Sequence, residues 1–418
     1  MELPSGMKGP DRFWPILSKG KMIKKIPFGT LSITQKSKDL INEILDSKRV
    51  SSGKYVREFE ERFAELIETK EAVAVSSGAD ADALTLAVLY DFGAKRGDEV
   101  IVPALSFVAT GNAVLQAGFR PVFVDIERET LNIDPSKIES VITERTRAIM
   151  PVHLMGKPAD MDKISEIARR YNLYVIEDAA EAHGARYKGK NVGTLGDMAA
   201  YSLYLAHMVT TIEGGIVTTD NLEFAEILRS LRSHGRACKC KSCVLNLASG
   251  YCEKRFKYGT DIRFIFERIG YSCKMNEIEA AIGLGSLDDY NEILKKRKKN
   301  LASMMEKFKR FGEHLVSIKE DPDEEIGPHA FPIILKEKVK FTRDQLVDFL
   351  ERNGIETRSL FSSMPTQCPG FEFLGYKLGD FPNAEYIGNN GLHIGVHQDI
   401  DEEDIDYFID VVDRFLES

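Results

Sequence analysis

The stretch EVIVPALSFVATGNAVLQAGFRPVFVD, residues 99–125, decides the fold class. Glu99–Val102 and Pro121–Asp125 are short apolar runs without polar alternation, the pattern of strands buried on both faces. Between them Phe107–Ala117 reads as a helix, so the stretch is one strand–helix–strand unit of a mostly parallel sheet. The alternation continues on either side. Ala72–Val75, Arg147–Val152, Leu173–Glu177, Met198–Tyr204 and Gly215–Thr219 complete an expected seven-stranded sheet. Helices are expected at Lys36–Ser47, Tyr55–Glu68, Asp80–Gly93, Pro135–Ile142, Asp160–Tyr171 and Leu222–Ser233.

This gives an α/β fold with helices on each face of the sheet. The division predicted from the pattern is an N-terminal arm at 1–25, a large α/β domain at 26–270 and a smaller α+β domain at 271–418. The large domain contains a cysteine-rich insert at 236–258, where the periodicity breaks. The last part opens with a long helix from Asn276 to about Phe311. Strands at His329–Leu335 and Glu356–Leu360 and helices at Thr342–Asn353 and Glu402–Phe415 follow.

The composition narrows the function classes. A chain of 418 residues with 43 % hydrophobic and 29 % charged residues is globular and larger than one ordinary domain. The net charge of −9 provides no overall attraction to nucleic acid or an anionic membrane. No apolar run approaches the roughly 20 residues of a membrane span. The N-terminus is basic and broken by Pro4, Pro10 and Pro15, without the apolar segment of a signal peptide. A cytoplasmic, reducing setting is expected.

Six cysteines are too few for a disulfide scaffold. Four of them, Cys238, Cys240, Cys243 and Cys252, have the spacing C-x-C-x2-C-x8-C. Four thiolates so close together suit structural zinc or a [2Fe–2S] cluster. Zinc usually takes C-x2-C knuckles, and only Cys240 and Cys243 form one, so the spacing alone leaves the metal open. Lys239, Lys241, Lys254, Arg255 and Lys257 flank the group, and their positive field favours thiolates and an acidic electron donor.

Three further segments are site candidates. Val75–Ala79 is a strand–glycine–helix turn, where free N–H groups attract an anion. Glu177 and Asp178 end a buried strand, where ligands sit in open α/β sheets, though Asp178 could equally cap the following turn. The segment Tyr201–His207 ends in a histidine whose ordinary pKa suits a general base.

Taken together, the motifs resemble the DegT/StrS type of fold-type I, pyridoxal-phosphate-dependent nucleotide-sugar aminotransferases. They are Ser51–Lys54, Val102–Thr110, Pro151–Pro158, Ile176–Ala180, Glu213–Gly215 and Gly270-Tyr271, and the resemblance runs from about Ile26 to the C-terminus. It implies a homodimer with shared active sites and a nucleotide-sugar substrate. It also implies that Asp178 pairs with the pyridine nitrogen of PLP or PMP. Phe107 would stack on the ring, while Ser77, Gly78, Ala79 and Ser202 lie around the phosphate. The family's cofactor-capturing lysine is replaced here by His207, and no lysine lies between Lys190 and Lys239.

That exchange marks the 3-dehydratases of NDP-4-keto-6-deoxyhexoses, in which non-covalent PMP condenses with the sugar ketone. Histidine then removes a cofactor proton as the C3 hydroxyl leaves. One branch also carries a [2Fe–2S] cluster fed by a reductase or ferredoxin, and Ser233–Arg236, Cys238, Cys240 and Cys252–Phe256 resemble its cluster segment. Ile394-Gly395-Val396 also fits the dehydratase group.

The chain departs from that branch at Ala180, where a cysteine ligand is common, and Cys243 is the candidate replacement. Ala79 and Asp80 stand in a usually serine-rich phosphate loop, so Asp80 either points away or the phosphate is held differently. Ser272 replaces a common asparagine. The expected function is iron–sulfur, PMP-dependent 3-dehydration with His207 as base. The alternatives are a zinc-bearing dehydratase or deoxy-aminosugar enzyme without electron transfer, and a non-catalytic sensor or scaffold.

Overall fold

In a computed structural model, the described residues are 24–238, 240–241, 251–257 and 259–418, together with the backbone of a two-stranded ribbon, Leu17–Ser18 with Lys21–Met22. The strand–helix alternation read from the sequence is present. Helices α1 (Gln35–Ser47) and α2 (Lys54–Ile67) precede β1 (Glu71–Val75), α3 (Gly78–Val88), β2 (Glu99–Pro103), α4 (Val108–Gln116) and β3 (Arg120–Val124). Then come β4 (Thr146–Ile149), α5 (Met161–Tyr171), β5 (Tyr174–Asp178), β6 (Met198–Ser202), β7 (Gly215–Thr219) and α6 (Leu222–Leu231).

The seven strands form one sheet in the order β1-β7-β6-β5-β4-β2-β3. All neighbours pair parallel except β7, which runs antiparallel to both β1 and β6. Helices α1 and α2 pack on one face with a later helix, α7 (Glu277–Asp288), while α3, α4 and α6 cluster on the other. Both faces are therefore covered, which is why the strands lack polar alternation. The carboxyl ends of β1, β2, β5 and β6 open on one crevice, where open α/β sheets place their ligands.

Two expected helices are corrected. Pro135–Ile142 forms two short 3₁₀ turns, Pro135–Lys137 and Glu139–Val141. Eight residues rich in β-branched side chains are too few to sustain an α-helix. The long helix from Asn276 breaks after α7, and α8 (Tyr290–Phe308) restarts beyond Asp289. Aspartate is a poor residue for a helix interior, so two in succession favour a break there. Asp288 there turns outward to Lys36 and Arg62, each at 2.7 Å.

The remaining chain builds a four-stranded antiparallel sheet. It contains β8 (Ala330–Leu335), α9 (Arg343–Arg352), β9 (Thr357–Ser359), α10 (Pro382–Asn390), β10 (Gly391–Gly395) and α11 (Glu402–Glu417). β10 is central, between β8 and β9. The chain around Ile26 pairs with Ile355 and carries Phe28 to the crevice. Among the described residues no helix is long and apolar enough to cross a membrane.

The Ser51–Lys54 motif finds its explanation in a distant carboxylate. Gly53 caps α2 without a side-chain acceptor, and buried Glu277 accepts the N–H groups of Gly53 (2.8 Å), Tyr55 (3.0 Å) and Val56 (2.9 Å) instead. Glu277→Gln turns an amide donor against these donors and is expected to cost about 1–3 kcal/mol, read from urea unfolding midpoints.

Candidate functional site

The crevice holds a cavity of about 520 Å³. Ser77, Gly78, Ala79, Phe107, Asp178, Ser202 and His207 all line it, whereas Glu177 turns to the backbone N–H groups of Gly193, Leu195 and Gly196. Two glycines allow the close approach of its walls. A Cβ on Gly78 would lie 2.8 Å from the Ser202 Cβ, and one on Gly215 would lie 2.1 Å from the Ser77 carbonyl oxygen.

Asp178 is the last residue of β5 and is 4 % exposed. Its Oδ2 accepts from the Thr110 hydroxyl at 2.7 Å, and its Oδ1 accepts from the Ala180 N–H at 3.2 Å. Burial raises its pKa, and the Thr110 and Ala180 donors oppose the rise. Such a carboxyl, fixed in orientation and short of positive charge, suits a cationic N–H ligand. Phe107, at the α4 N-terminus, is 57 % exposed although it lines the cavity.

Ser77 caps α3 by accepting the Asp80 N–H at 3.1 Å. Asp80 does not line the cavity, and its Oδ2 takes hydrogen bonds from both Ser76 and Ser77 at 2.7 Å. Of the two options left open by the sequence, Asp80 points away. Its charge nevertheless sits in the first helical turn and engages hydroxyls an anion would use. Asp80→Ser is expected to tighten binding of a phosphorylated cofactor about tenfold, or about 1.4 kcal/mol, measured by titration of the cofactor-free protein.

His207 follows β6 in a turn closed by its own N–H donating to the Tyr204 carbonyl at 2.9 Å. Its ring stacks on His183 at 6.0 Å and lies 5.0 Å from His329. Its Nδ1 has no hydrogen-bond partner. Burial, then His183, Arg297 and Arg358, hold the imidazole well below its ordinary pKa. At neutral pH the ring is uncharged and can act as a base.

Several cavity residues carried no decisive sequence signal. Glu181 accepts the Met155 N–H at 2.8 Å and places Oε1 3.4 Å from His329 Nε2. Burial pushes its carboxyl up to about 8, so it keeps its proton at neutral pH. Burial lowers the cavity residue His393 to about 3, and lowers His183, which stacks on His207 outside the lining, to about 4. Glu181 stands three residues beyond Asp178, a proximity the sequence could have flagged. His329 and His393 arrive from β8 and β10, and nothing local announces them. Arg358 lies over the Phe28 ring at 3.9 Å and supplies a cation to the cavity wall.

None of the described cysteines lines this cavity. Cys240 is hydrogen-bonded to Cys238, and burial, then Cys238, raises its pKa, with Cys252 adding to the rise. Cys243 and Lys239 fall outside the described residues. Among the described residues no group of three or more His, Cys, Asp or Glu side chains is arranged to hold a metal ion.

Known proteins with similar sequences fit this geometry. The chain is 36 % identical over 381 residues to dTDP-4-dehydro-2,6-dideoxy-D-glucose 3-dehydratase of Saccharopolyspora spinosa, covering 88 % of this chain and 81 % of that protein. It is 37 % identical over 384 residues to GDP-perosamine synthase of Caulobacter vibrioides, covering 91 % and 95 %. A crystal structure of GDP-4-keto-6-deoxymannose-3-dehydratase with bound GDP-perosamine superposes with a TM-score of 0.82 at 32 % identity, over 93 % of this chain and all of that one. The fold is thus the aminotransferase-like α/β fold of fold-type I PLP enzymes. The model of the DegT/DnrJ/EryC1/StrS aminotransferase family matches residues 31–413, and the chain belongs to that family.

Proposed function

We propose that the protein is a PMP-dependent 3-dehydratase of an NDP-4-keto-6-deoxyhexose. One observation carries this reading: among the described residues His207 lines the cavity and no lysine does. Transamination needs a lysine that captures the cofactor, so the resemblance to the 3-dehydratases outweighs that to the perosamine synthase.

The residues present fit the cofactor. Asp178 would take the ring nitrogen, Phe107 the ring face, and Ser77, Gly78, Ala79 and Ser202 the phosphate. When bound, the cofactor supplies an amine for the sugar ketone and an electron sink. Asp178, anionic toward a cationic ring nitrogen, would hold that nitrogen's proton in place. Phe107 covers an apolar surface and excludes water. His207 would take the proton released at the reacting carbon and return it to the leaving hydroxyl. The lowered pKa of the imidazole keeps it uncharged and able to accept a proton.

Protein loaded with PLP, treated with borohydride and then denatured is expected to release its cofactor completely. A reduced cofactor retained on a lysine-containing peptide would overturn the reading.

The assembly and redox parts of the proposal are finer. A homodimer is supported by Phe107 and by Tyr204, which line the cavity yet are 57 % and 39 % exposed, as if awaiting a cover. The electron relay from a reductase or ferredoxin through a [2Fe–2S] cluster is supported by the cysteine spacing and the Cys238–Cys240 contact. The described residues form no complete ligand set, so no step is routed through a metal. Anaerobically purified protein is expected to contain iron and to give an EPR signal on reduction. Stoichiometric zinc without iron would remove the relay.

A further inference from the structure

Arg358 is the middle residue of β9 and is paired in register with His393 of β10. Its guanidinium lies 3.9 Å from the centre of the Phe28 ring. Phe28 is itself fixed, being 4 % exposed and donating its N–H to Glu356 Oε2 at 3.0 Å. Stacking on an aromatic face occupies the flat side of a guanidinium and leaves its N–H edge free. Among the described residues no carboxylate pairs with that edge and no oxygen accepts a hydrogen bond from it. Arg358 is also the only lysine or arginine among the described residues that line the cavity, where the carboxyls are Asp82, Asp178, Glu181 and Glu213.

Arg358 and its neighbour Ser359 are exposed, whereas the Nδ1 of His207 is buried. The charge of Arg358 is nevertheless felt at both His207 and His393. The cation therefore stands at the mouth of the cavity, within electrostatic reach of the base. A nucleotide sugar that brings its ring to the base leaves its diphosphate, the strongly hydrated end, toward that mouth. The cofactor phosphate would be held elsewhere, by the Ser77–Ala79 turn of the larger sheet, while Arg358 belongs to the smaller one. We propose that Arg358, held flat on Phe28, binds the diphosphate of the nucleotide-sugar substrate. The guanidinium fork matches two phosphate oxygens. The stack orders the side chain before binding, so little rotamer freedom is lost on association. Its positive charge also admits an anionic substrate to a cavity walled by carboxyls. The inference rests on the substrate class proposed above.

Isothermal titration of the PMP-loaded protein with GDP, CDP, UDP and dTDP tests this. The parent is expected to bind at least one of them, and Arg358→Met to weaken that binding about 10–100-fold, the range for hydrogen bonds to a charged group. Arg358→Lys keeps the charge without the planar fork, so it is expected to lose less and serves as the second variant. Binding by the parent should weaken as salt rises, and binding by Arg358→Met should depend on salt less steeply. Equal affinity of parent and Arg358→Met for the nucleotide would overturn the inference while leaving the dehydration reading standing. A loss seen with glutarate and not with the nucleoside diphosphate would assign the arginine to a carboxylate and overturn the inference as well. Absence of binding of all four nucleotides by the parent would remove the nucleotide-sugar substrate, and the inference with it.

Discussion

His207→Asn is expected to lower the kcat of dehydration by about 10²–10⁴-fold, the usual contribution of a positioned general base. Melting temperature and cofactor affinity should stay near the parent's. Asparagine keeps the size of the imidazole and removes the basic nitrogen, while the Tyr204 turn is closed by backbone alone. The pH dependence follows from burial of the ring, which holds His207 well below its ordinary 6.5. A base works when unprotonated, so parent activity should be independent of this group from neutral pH down through 6.5 and fall only in more acid solution. The variant should lack that acid limb. Turnover within about threefold of the parent would remove His207 from the role of base.

Asp178→Asn is expected to lower kcat by about 10²–10³-fold, as removal of a preorganised charge does in other active sites. It should also weaken cofactor binding, because the anion opposite the ring nitrogen is gone. The amide oxygen can still accept from Thr110 or Ala180, so the sheet end should survive. The empty protein provides a separate check. Asp178 is raised in the folded state, so its stabilising protonated form is fully present below its unfolded value of 3.8 and is lost as pH rises through the folded value. The cofactor-free variant should therefore gain melting temperature relative to the parent at pH 8 and not at pH 4. An unchanged difference between the two pH values would show that Asp178 is ionised at little cost.

The sheet was legible because its strands are buried on both faces and therefore read as continuous apolar runs. Asp178 and the Ser77–Gly78 turn were legible because strand ends mark the crevice of an open α/β sheet. His207 was legible through its position after Tyr204. The rest depended on contacts between distant segments. Nothing near Gly53 reveals that Glu277, more than two hundred residues away, supplies its cap. The break at Asp289 depends on partners in α1 and α2. β10 is short and was read only for its Ile394–Val396 motif, so its His393 was not recognised as a cavity residue. An acid early in a helix is ordinary at the surface, so nothing in the sequence singles out Asp82. Only the tertiary structure shows that it faces inward.

The central claim is that this family member removes the C3 hydroxyl of its sugar and does not aminate it. Mass spectrometry of the product formed from an NDP-4-keto-6-deoxyhexose, with PMP and a reductant, tests it most directly. The account predicts a sugar that has lost its C3 oxygen and carries no nitrogen, with no product from the His207→Asn protein. A 4-amino sugar that retains its C3 hydroxyl would contradict it.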